Sequence, residues 1–382
     1  MNRVLMLASV ASMIDQFNMS NITLLQSMGY TVDVACNFEV GNTCTDERVQ
    51  RLKKKLQGMG VRYFQVDFAR DVTQMVQNMK ALKQVMQLMR TTHYTFCHCH
   101  SPIGGVVARI AGHATKTKII YTAHGFHFFK GAPIKNWLIF YPIEKLLSWW
   151  TDVLITINQE DHCLAENKFH MKRLEYVPGV GIETERKELT IEQKREKRNE
   201  LGIPVDAFLI INVAEFTANK NQKTVIKAME QWGNSNAYFV MCGIGEQKAQ
   251  LEQYVREHRL EENIRFVGFR NDIHEIYQAA DCFVLSSFRE GMSVALMEAM
   301  AEGLPIVCGR IRGNVDLITD GEGGILLEPG DMNAYQEAFA EMYQMKHQEP
   351  ETLLRMGKKN QENAKNFGRD VVEALMRKIY CQ

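Results

Sequence analysis

Short apolar runs alternate with longer amphipathic stretches along the whole chain. In the first half the runs are VLMLAS (4–9), TVDVAC (31–36), VRYFQV (61–66), YTFCHC (94–99), KIIYTA (118–123), DVLITI (152–157) and LEYVP (174–178). They are short, rich in β-branched residues and lack strict polar alternation, the pattern of parallel strands buried on both faces. Helical periodicity fills the gaps, as over 19–28, 48–59 and 72–89. After the charged stretch ERKELTIEQKREKRNELG (185–202) a second series begins: FLIINVAE (208–215), AYFVMC (237–242), NIRFVG (263–268), DCFVLSS (281–287), LPIVCG (304–309) and GILLEP (324–329). Strands separated by helices need crossover connections, so the pattern predicts an α/β chain of two doubly wound parallel sheets. A length of 382 residues suits two cores. The boundary is expected in PGVGIETERKELT (178–190), where glycines and charge interrupt the apolar rhythm. The domains are read as 1–182 and 183–365. Two such sheets place a ligand at the carboxyl ends of their strands, in the cleft between domains.

Composition narrows the partners. Lys plus Arg (45) equals Asp plus Glu (45), so no global field favours nucleic acid. Nine cysteines, an odd and scattered number, read as reduced thiols of a cytosolic protein. The start, MNRVLMLASVASMID, reads as a first buried strand and not as a signal peptide. No run reaches the length of about 18 apolar residues that spans a bilayer.

The stretch REGMSVALMEAMAEGLP (289–305) carries the most pointed chemistry. Glu290 falls on a strand-to-helix loop and Glu298 inside the following helix. Gly291 lets backbone amides at the helix start approach a ligand, and a helix N-terminus favours an anion. Two acceptor-only carboxylates at different depths suit the hydroxyl pairs of a polyol. The plain alternative is a loop charge and a solvated helix residue, the commoner fate of isolated glutamates.

SSFREGMSVALMEAMAEGLPIVCGRIRGNVDLI closely resembles the signature of retaining glycosyltransferases of family 4, which have the GT-B fold. The resemblance implies that Glu290 holds the transferred sugar and Glu298 the nucleotide ribose, with amides of Gly291, Met292 and Ser293 facing the diphosphate or sugar. Similar enzymes carry a GxG after the second strand of this domain, here Gly243 and Gly245 in CGIGEQK. They also place backbone near the base, here around Phe269 and Arg270 in FVGFRNDIHEIY. The family loop that supplies an arginine and a lysine to the diphosphate reads NVAEFTANKNQ, which keeps Lys220 but has Glu215 where the arginine is common. Arg310 or Arg312, in GRIRGN, is expected to compensate. The terminal segment, 366–382, is amphipathic and in similar proteins crosses back to the first domain. No Asp-x-Asp occurs, and the resemblance implies transfer without a metal or other cofactor.

In the first domain IIYTAHGFHFFKGAPIKNWLIFYPIEK resembles the branch that builds bacterial capsular, exopolysaccharide and lipid-linked glycans. His124 matches a histidine near the donor sugar; His127 and His100 are assigned to the acceptor side. Cys97, His98, Cys99 and His100 invite a metal reading, but strand alternation sends the cysteines one way and the histidines the other. After the first strand many relatives have a glycine pair, whereas this chain has SVASMIDQFN, with Ser9 and Ser12, and the role of that loop stays open. The stretch 130–150 mixes Lys130, Lys135 and Lys145 with Trp137, Phe140, Tyr141, Trp149 and Trp150, as an interfacial helix does; a core helix broken at Pro142 is the competing reading. RLKKK (51–55) adds a basic run.

The expected activity is transfer of a hexosyl or N-acetylhexosaminyl group from a nucleotide sugar, a UDP-sugar on resemblance, to a polyprenyl-diphosphate-linked acceptor at the cytoplasmic face of the membrane. Two alternatives are weighed. A non-catalytic sugar-nucleotide-binding subunit typically lacks the glutamates, and a nicotinamide-dependent oxidoreductase needs a GxGxxG that this chain does not have.

Overall fold

The computed structural model describes residues 2–42, 44–69, 71 and 73–381. Two compact units divide the chain, Met1–Val180 with Val372–Gln382, and Gly181–Val371. In the first unit seven strands, β1 (Arg3–Val10), β2 (Thr31–Asn37), β3 (Arg62–Gln65), β4 (Phe96–His100), β5 (Lys118–Ala123), β6 (Val153–Thr156) and β7 (Arg173–Tyr176), form one sheet in the order β3-β2-β1-β4-β5-β6-β7. In the second unit β8 (Phe208–Val213), β9 (Ala237–Cys242), β10 (Ile264–Gly268), β11 (Cys282–Leu285), β12 (Ile306–Gly309) and β13 (Gly324–Leu327) pair as β10-β9-β8-β11-β12-β13. The paired strands are parallel.

The central strands are apolar on both faces because helices cover both, whereas the edge strands β3 and β7 are only partly buried. Val4, Met6 and Ala8 of β1 enter one core of the first unit, while Leu5 and Leu7 enter the other. The same alternation sends Cys97 and Cys99 into the second of these cores, and turns His98 and His100 the opposite way, with ring centroids 4.2 Å apart.

The units part between Val180 and Gly181, and the chain rejoins the first unit at Val372. The reason is local. The turn Lys365–Phe367 is fastened to the second unit by Ile182, whose N–H donates to the Phe367 carbonyl (3.0 Å) and whose carbonyl accepts from Arg369 N–H (2.8 Å). The helix Arg369–Tyr380 then buries Val372, Met376, Ile379 and Tyr380 against the first core. Gln382, the last residue of that expected segment, lies outside the described residues, as does Val72 at the start of the helix expected over 72–89; the helix found is Met75–Thr92.

One expectation is corrected. The helix Ile134–Ser148 runs unbroken through Pro142. Proline has no N–H to give the carbonyl four residues back, Leu138, but Leu138 is 70% exposed, so water can satisfy that turn. The opposite side of the helix is fixed by Glu144, whose Oε2 accepts from Arg109 Nη1 at 2.7 Å. The Arg109 guanidinium is buried, donates from Nε to the Gly105 carbonyl (2.9 Å) and lies 4.2 Å from the Tyr121 ring centre on β5. This pair ties β5 and its flanking helices together. Glu144→Ala strands a buried cation and is expected to destabilise the first unit by about 3–5 kcal/mol. Urea unfolding followed by tryptophan fluorescence reads this unit, since Trp137, Trp149 and Trp150 are three of the four tryptophans; a loss below about 1 kcal/mol contradicts the assignment.

Candidate functional site

In an open parallel sheet the crevice for a ligand lies where strand order reverses, beyond the carboxyl ends of the two strands at that point. In the second unit those strands are β8 and β11. The loop after β8 carries Lys220 and the loop after β11 carries Glu290, and Lys220 Nζ lies 2.6 Å from Glu290 Oε1. Backbone and amide contacts sew the same loops together. Asn219 Nδ2 donates to the Arg289 carbonyl (2.9 Å), Phe288 N–H donates to the Asn219 carbonyl (2.8 Å), and Ser286 Oγ lies 3.0 Å from the Lys220 and Asn221 carbonyls. The run 281–287 therefore leaves the sheet after Leu285, at Ser286.

The helix Val294–Ala301 starts at Ser293, whose hydroxyl accepts from Leu296 N–H (3.3 Å). Met292 and Ser293 are buried, so they fix the loop while their amides lie at the helix start. The positive φ of this corner belongs to Gly313 (+78°), where a Cβ would sit 2.3 Å from the Gly291 carbonyl oxygen. Arg312 is buried and donates from Nε to the Glu290 carbonyl (3.3 Å), bracing the loop from below. Arg310 is held by Asp320 and by the Leu326 carbonyl.

Gly243 and Gly245 sit where the second loop passes the first. A Cβ on Gly243 would lie 2.0 Å from the Ala214 carbonyl oxygen, and one on Gly245 would lie 2.5 Å from the Phe216 backbone. Their smallness lets Phe216 N–H reach the Ile244 carbonyl (3.0 Å), which sets the path of the loop toward Lys220. Glu215 is exposed on that loop. Phe269 is 61% exposed, which removes simple packing as its role. The Arg270 guanidinium is taken by Asp272 (2.6 Å) and Glu200, so only its backbone is free to meet a base.

Glu298 lies one turn inside the helix, partly buried. Burial pushes its carboxyl up; the His274 and Arg186 charges work against that and Glu302 with it. Glu302, not Glu298, accepts from His274 Nδ1 (3.0 Å) and Gln278 Nε2 (2.8 Å). The Glu298 carboxylate has no hydrogen-bond partner among the described residues.

In the first unit the reversal falls between β1 and β4. There Ser9 N–H donates to Ser101 Oγ (3.1 Å), so the glycine-free first loop is pinned to the start of the helix Pro102–Thr115. His124 follows β5, with its Nε2 3.0 Å from His100 Nδ1. Burial lowers the His124 pKa to about 4. His127 was assigned to the acceptor side, but its ring packs 4.7 Å from Phe140 and its carbonyl accepts from Asn136 Nδ2 (2.9 Å), which places it under the helix Ile134–Ser148. Two features had no sequence signal. Tyr380, 282 residues from its partner, places its hydroxyl 2.8 Å from His98 Nδ1. An open groove of about 820 Å³ beyond β2 and β3 is lined by Met75 and by Asn37, Gln65 and Asp67, whose polar heads converge only through the fold.

Two Rossmann-like domains with parallel sheets of seven and six strands define the GT-B class of glycosyltransferases. Solved structures share the architecture: Anabaena Alr3699/HepE in complex with UDP-glucose (TM-score 0.78, 17% identity, 99% of each chain) and WaaG, a glycosyltransferase involved in lipopolysaccharide biosynthesis (TM-score 0.74, 15% identity, 98% of this chain and 99% of that one). The family models "Glycosyl transferases group 1" and "Glycosyl transferase 4-like" match residues 193–363 and 3–158. The chain is 34% identical to the Bacillus subtilis (strain 168) protein named as glycosyltransferase EpsD, over 99% of this chain and 96% of that one. It is 28% identical to the Escherichia coli UDP-Gal:alpha-D-GlcNAc-diphosphoundecaprenol alpha-1,3-galactosyltransferase, over 69% and 70%. The chain belongs to the family 4 glycosyltransferases.

A raised carboxyl pKa in the folded state means that the native protein holds its proton to higher pH than the unfolded chain does. Stability is then lost as pH rises above the unfolded value, and the penalty is absent below it. Glu298→Gln is therefore expected to unfold at a temperature equal to or above that of the parent at pH 8, with the gain vanishing at low pH, while affinity for the donor nucleotide falls. A melt series against pH, with nucleotide titration at pH 8, checks both; a variant less stable at pH 8 than at acid pH, relative to the parent, contradicts the assignment.

Proposed function

We propose that this enzyme is a retaining glycosyltransferase that moves a sugar from a UDP-sugar to a lipid-linked saccharide. The observation that carries the reading is the Lys220–Glu290 pair over the strand-order reversal of the second unit, beside a helix start and an unpartnered Glu298. In this reading Lys220 and the amides at 291–293 take the charge that develops on the leaving diphosphate. Glu290, released from Lys220, accepts hydrogen bonds from the sugar hydroxyls, and Glu298 from the ribose. The acceptor oxygen bonds to the anomeric carbon on the face that the diphosphate leaves, and its proton passes to the leaving phosphate oxygen. In the first unit His124 is the candidate partner for a sugar hydroxyl, and the groove at Asn37, Gln65 and Asp67 is the candidate seat of the acceptor. Fixed donors neutralise the leaving group, so the reading needs no metal.

The UDP-glucose in the Anabaena structure and the UDP-Gal and diphosphoundecaprenol in the Escherichia coli relative's name support the choice of substrates. Among the described residues no helix is long and apolar enough to cross a membrane. The helix Ile134–Ser148 and its C-cap Trp149 expose Ile134 (73%), Leu138 and Trp149 (63%) beside Lys135 and Lys145, a face suited to lie on an anionic bilayer surface where a lipid-linked acceptor resides.

Panels of UDP-, GDP- and ADP-sugars test the reading. Turnover is expected with a UDP-sugar only, unchanged by EDTA, abolished by Glu290→Gln and lowered about 10²–10³-fold in kcat by Lys220→Met. Turnover with GDP- or ADP-sugars alone, or an unchanged Lys220→Met, contradicts it. Co-sedimentation with phosphatidylglycerol vesicles is expected to fall on Leu138→Glu; binding that is absent in the parent contradicts the membrane assignment.

A further inference from the structure

The reaction as read above uses His124 and leaves the two buried histidines behind it without a task. We propose that His100 is a positioning residue that holds His124 in the tautomer protonated on Nδ1, so that His124 offers the sugar an N–H and not a lone pair. The assignment rests on the glycosyl-transfer reading only for what His124 touches; the tautomer itself follows from the hydrogen bonding.

His100 Nδ1 and His124 Nε2 are 3.0 Å apart. One of the two must carry the proton between them. Burial holds both imidazoles neutral at pH 7, with His124 lowered to about 4 and His100 pushed well below its usual value. A neutral imidazole has one N–H. The other nitrogen of His100, Nε2, is buried without a partner. His100 lines a cavity of about 20 Å³ whose wall is mostly apolar, Ile155, Val177, Val372 and Met376 among them; its polar members Asn21 and Thr122 bond Asn18 and His98 and not His100 Nε2. An orphaned N–H in such surroundings is rare and costs about 1–3 kcal/mol. The His100 proton therefore sits on Nδ1 and is donated to His124 Nε2. With that nitrogen accepting, the single proton of His124 is on Nδ1.

The backbone beside His100 is also held in place. Ser101 has φ +66° and ψ 153°, a region that side chains rarely occupy and that persists where neighbours over-determine it. Its hydroxyl is fixed by Ser9 N–H (3.1 Å). His98, by contrast, has both ring nitrogens engaged, Nδ1 at 2.8 Å from the Tyr380 hydroxyl and Nε2 at 2.8 Å from Thr122 Oγ1. It is a wall against the His100 ring and has no nitrogen left to relay a proton.

Nitrogen-15 NMR of histidine-labelled protein, with His124 assigned by comparison with His124→Asn, reads the tautomer directly without donor. His124 is expected to be protonated on Nδ1. His100→Asn keeps an amide N–H near the Nδ1 position, whereas His100→Phe keeps ring volume and removes the donor. His100→Phe is expected to shift His124 toward the Nε2 form and to lower kcat at least about tenfold with the donor KM within about twofold. His100→Asn is expected to restore both. A wild-type His124 protonated on Nε2, or a folded His100→Phe with an unchanged spectrum and kcat, overturns the proposal. Absence of turnover with every UDP-sugar would instead contradict the transfer reading, and the spectrum would still decide the tautomer.

Discussion

The second unit is organised around one ion pair. Lys220 and Glu290 leave the ends of neighbouring strands, 70 residues apart in sequence, and meet at 2.6 Å. Like most ion pairs near a surface, it gains little stability on its own. Its position matters more: it lies where the strand order turns, the point at which an α/β sheet leaves room for a ligand. Around it the protein has invested in rigidity. The Asn219 and Ser286 contacts join the two loops, Arg312 supports the Glu290 carbonyl, and Gly243, Gly245 and Gly313 remove the Cβ atoms that would force those loops apart. Two opposite charges are thus held at that point, and under the proposed function the lysine serves phosphate oxygens and the carboxylate hydroxyl groups.

The first unit relies on burial instead of charge pairing. The His100 ring packs against those of both His98 and His124, and desolvation keeps all three neutral. The Arg109–Glu144 pair holds β5 and its helices in place, so the ring that follows β5 is aimed by a rigid frame. Neutral hydrogen-bonding groups suit a carbohydrate, whose hydroxyls are uncharged.

Much of this was legible in the chain, for physical reasons. Strands buried on both faces are continuous apolar runs, so the central strands stand out; the edge strands β3 and β7, only partly buried, also fall within the short runs seen in the sequence. The places of Glu290 and Lys220 on loops after strands and of Glu298 in a helix are legible because a strand-to-helix junction has a local signature; the roles expected of them come from the family resemblance. What escaped depends on distance in sequence. Nothing near Tyr380 announces His98, nothing near Arg310 announces Asp320, and the groove at Asn37 and Gln65 is assembled from separate strand ends. The break at Pro142, part of the competing core-helix reading, does not occur, because proline's cost depends on whether the carbonyl it orphans faces solvent, which periodicity alone does not show.

The most direct test is a crystal structure with UDP bound. The account predicts the ribose hydroxyls on the Glu298 carboxylate and the Lys220 ammonium drawn from Glu290 to the diphosphate. UDP bound elsewhere, with Lys220 still on Glu290 and Glu298 untouched, would contradict it.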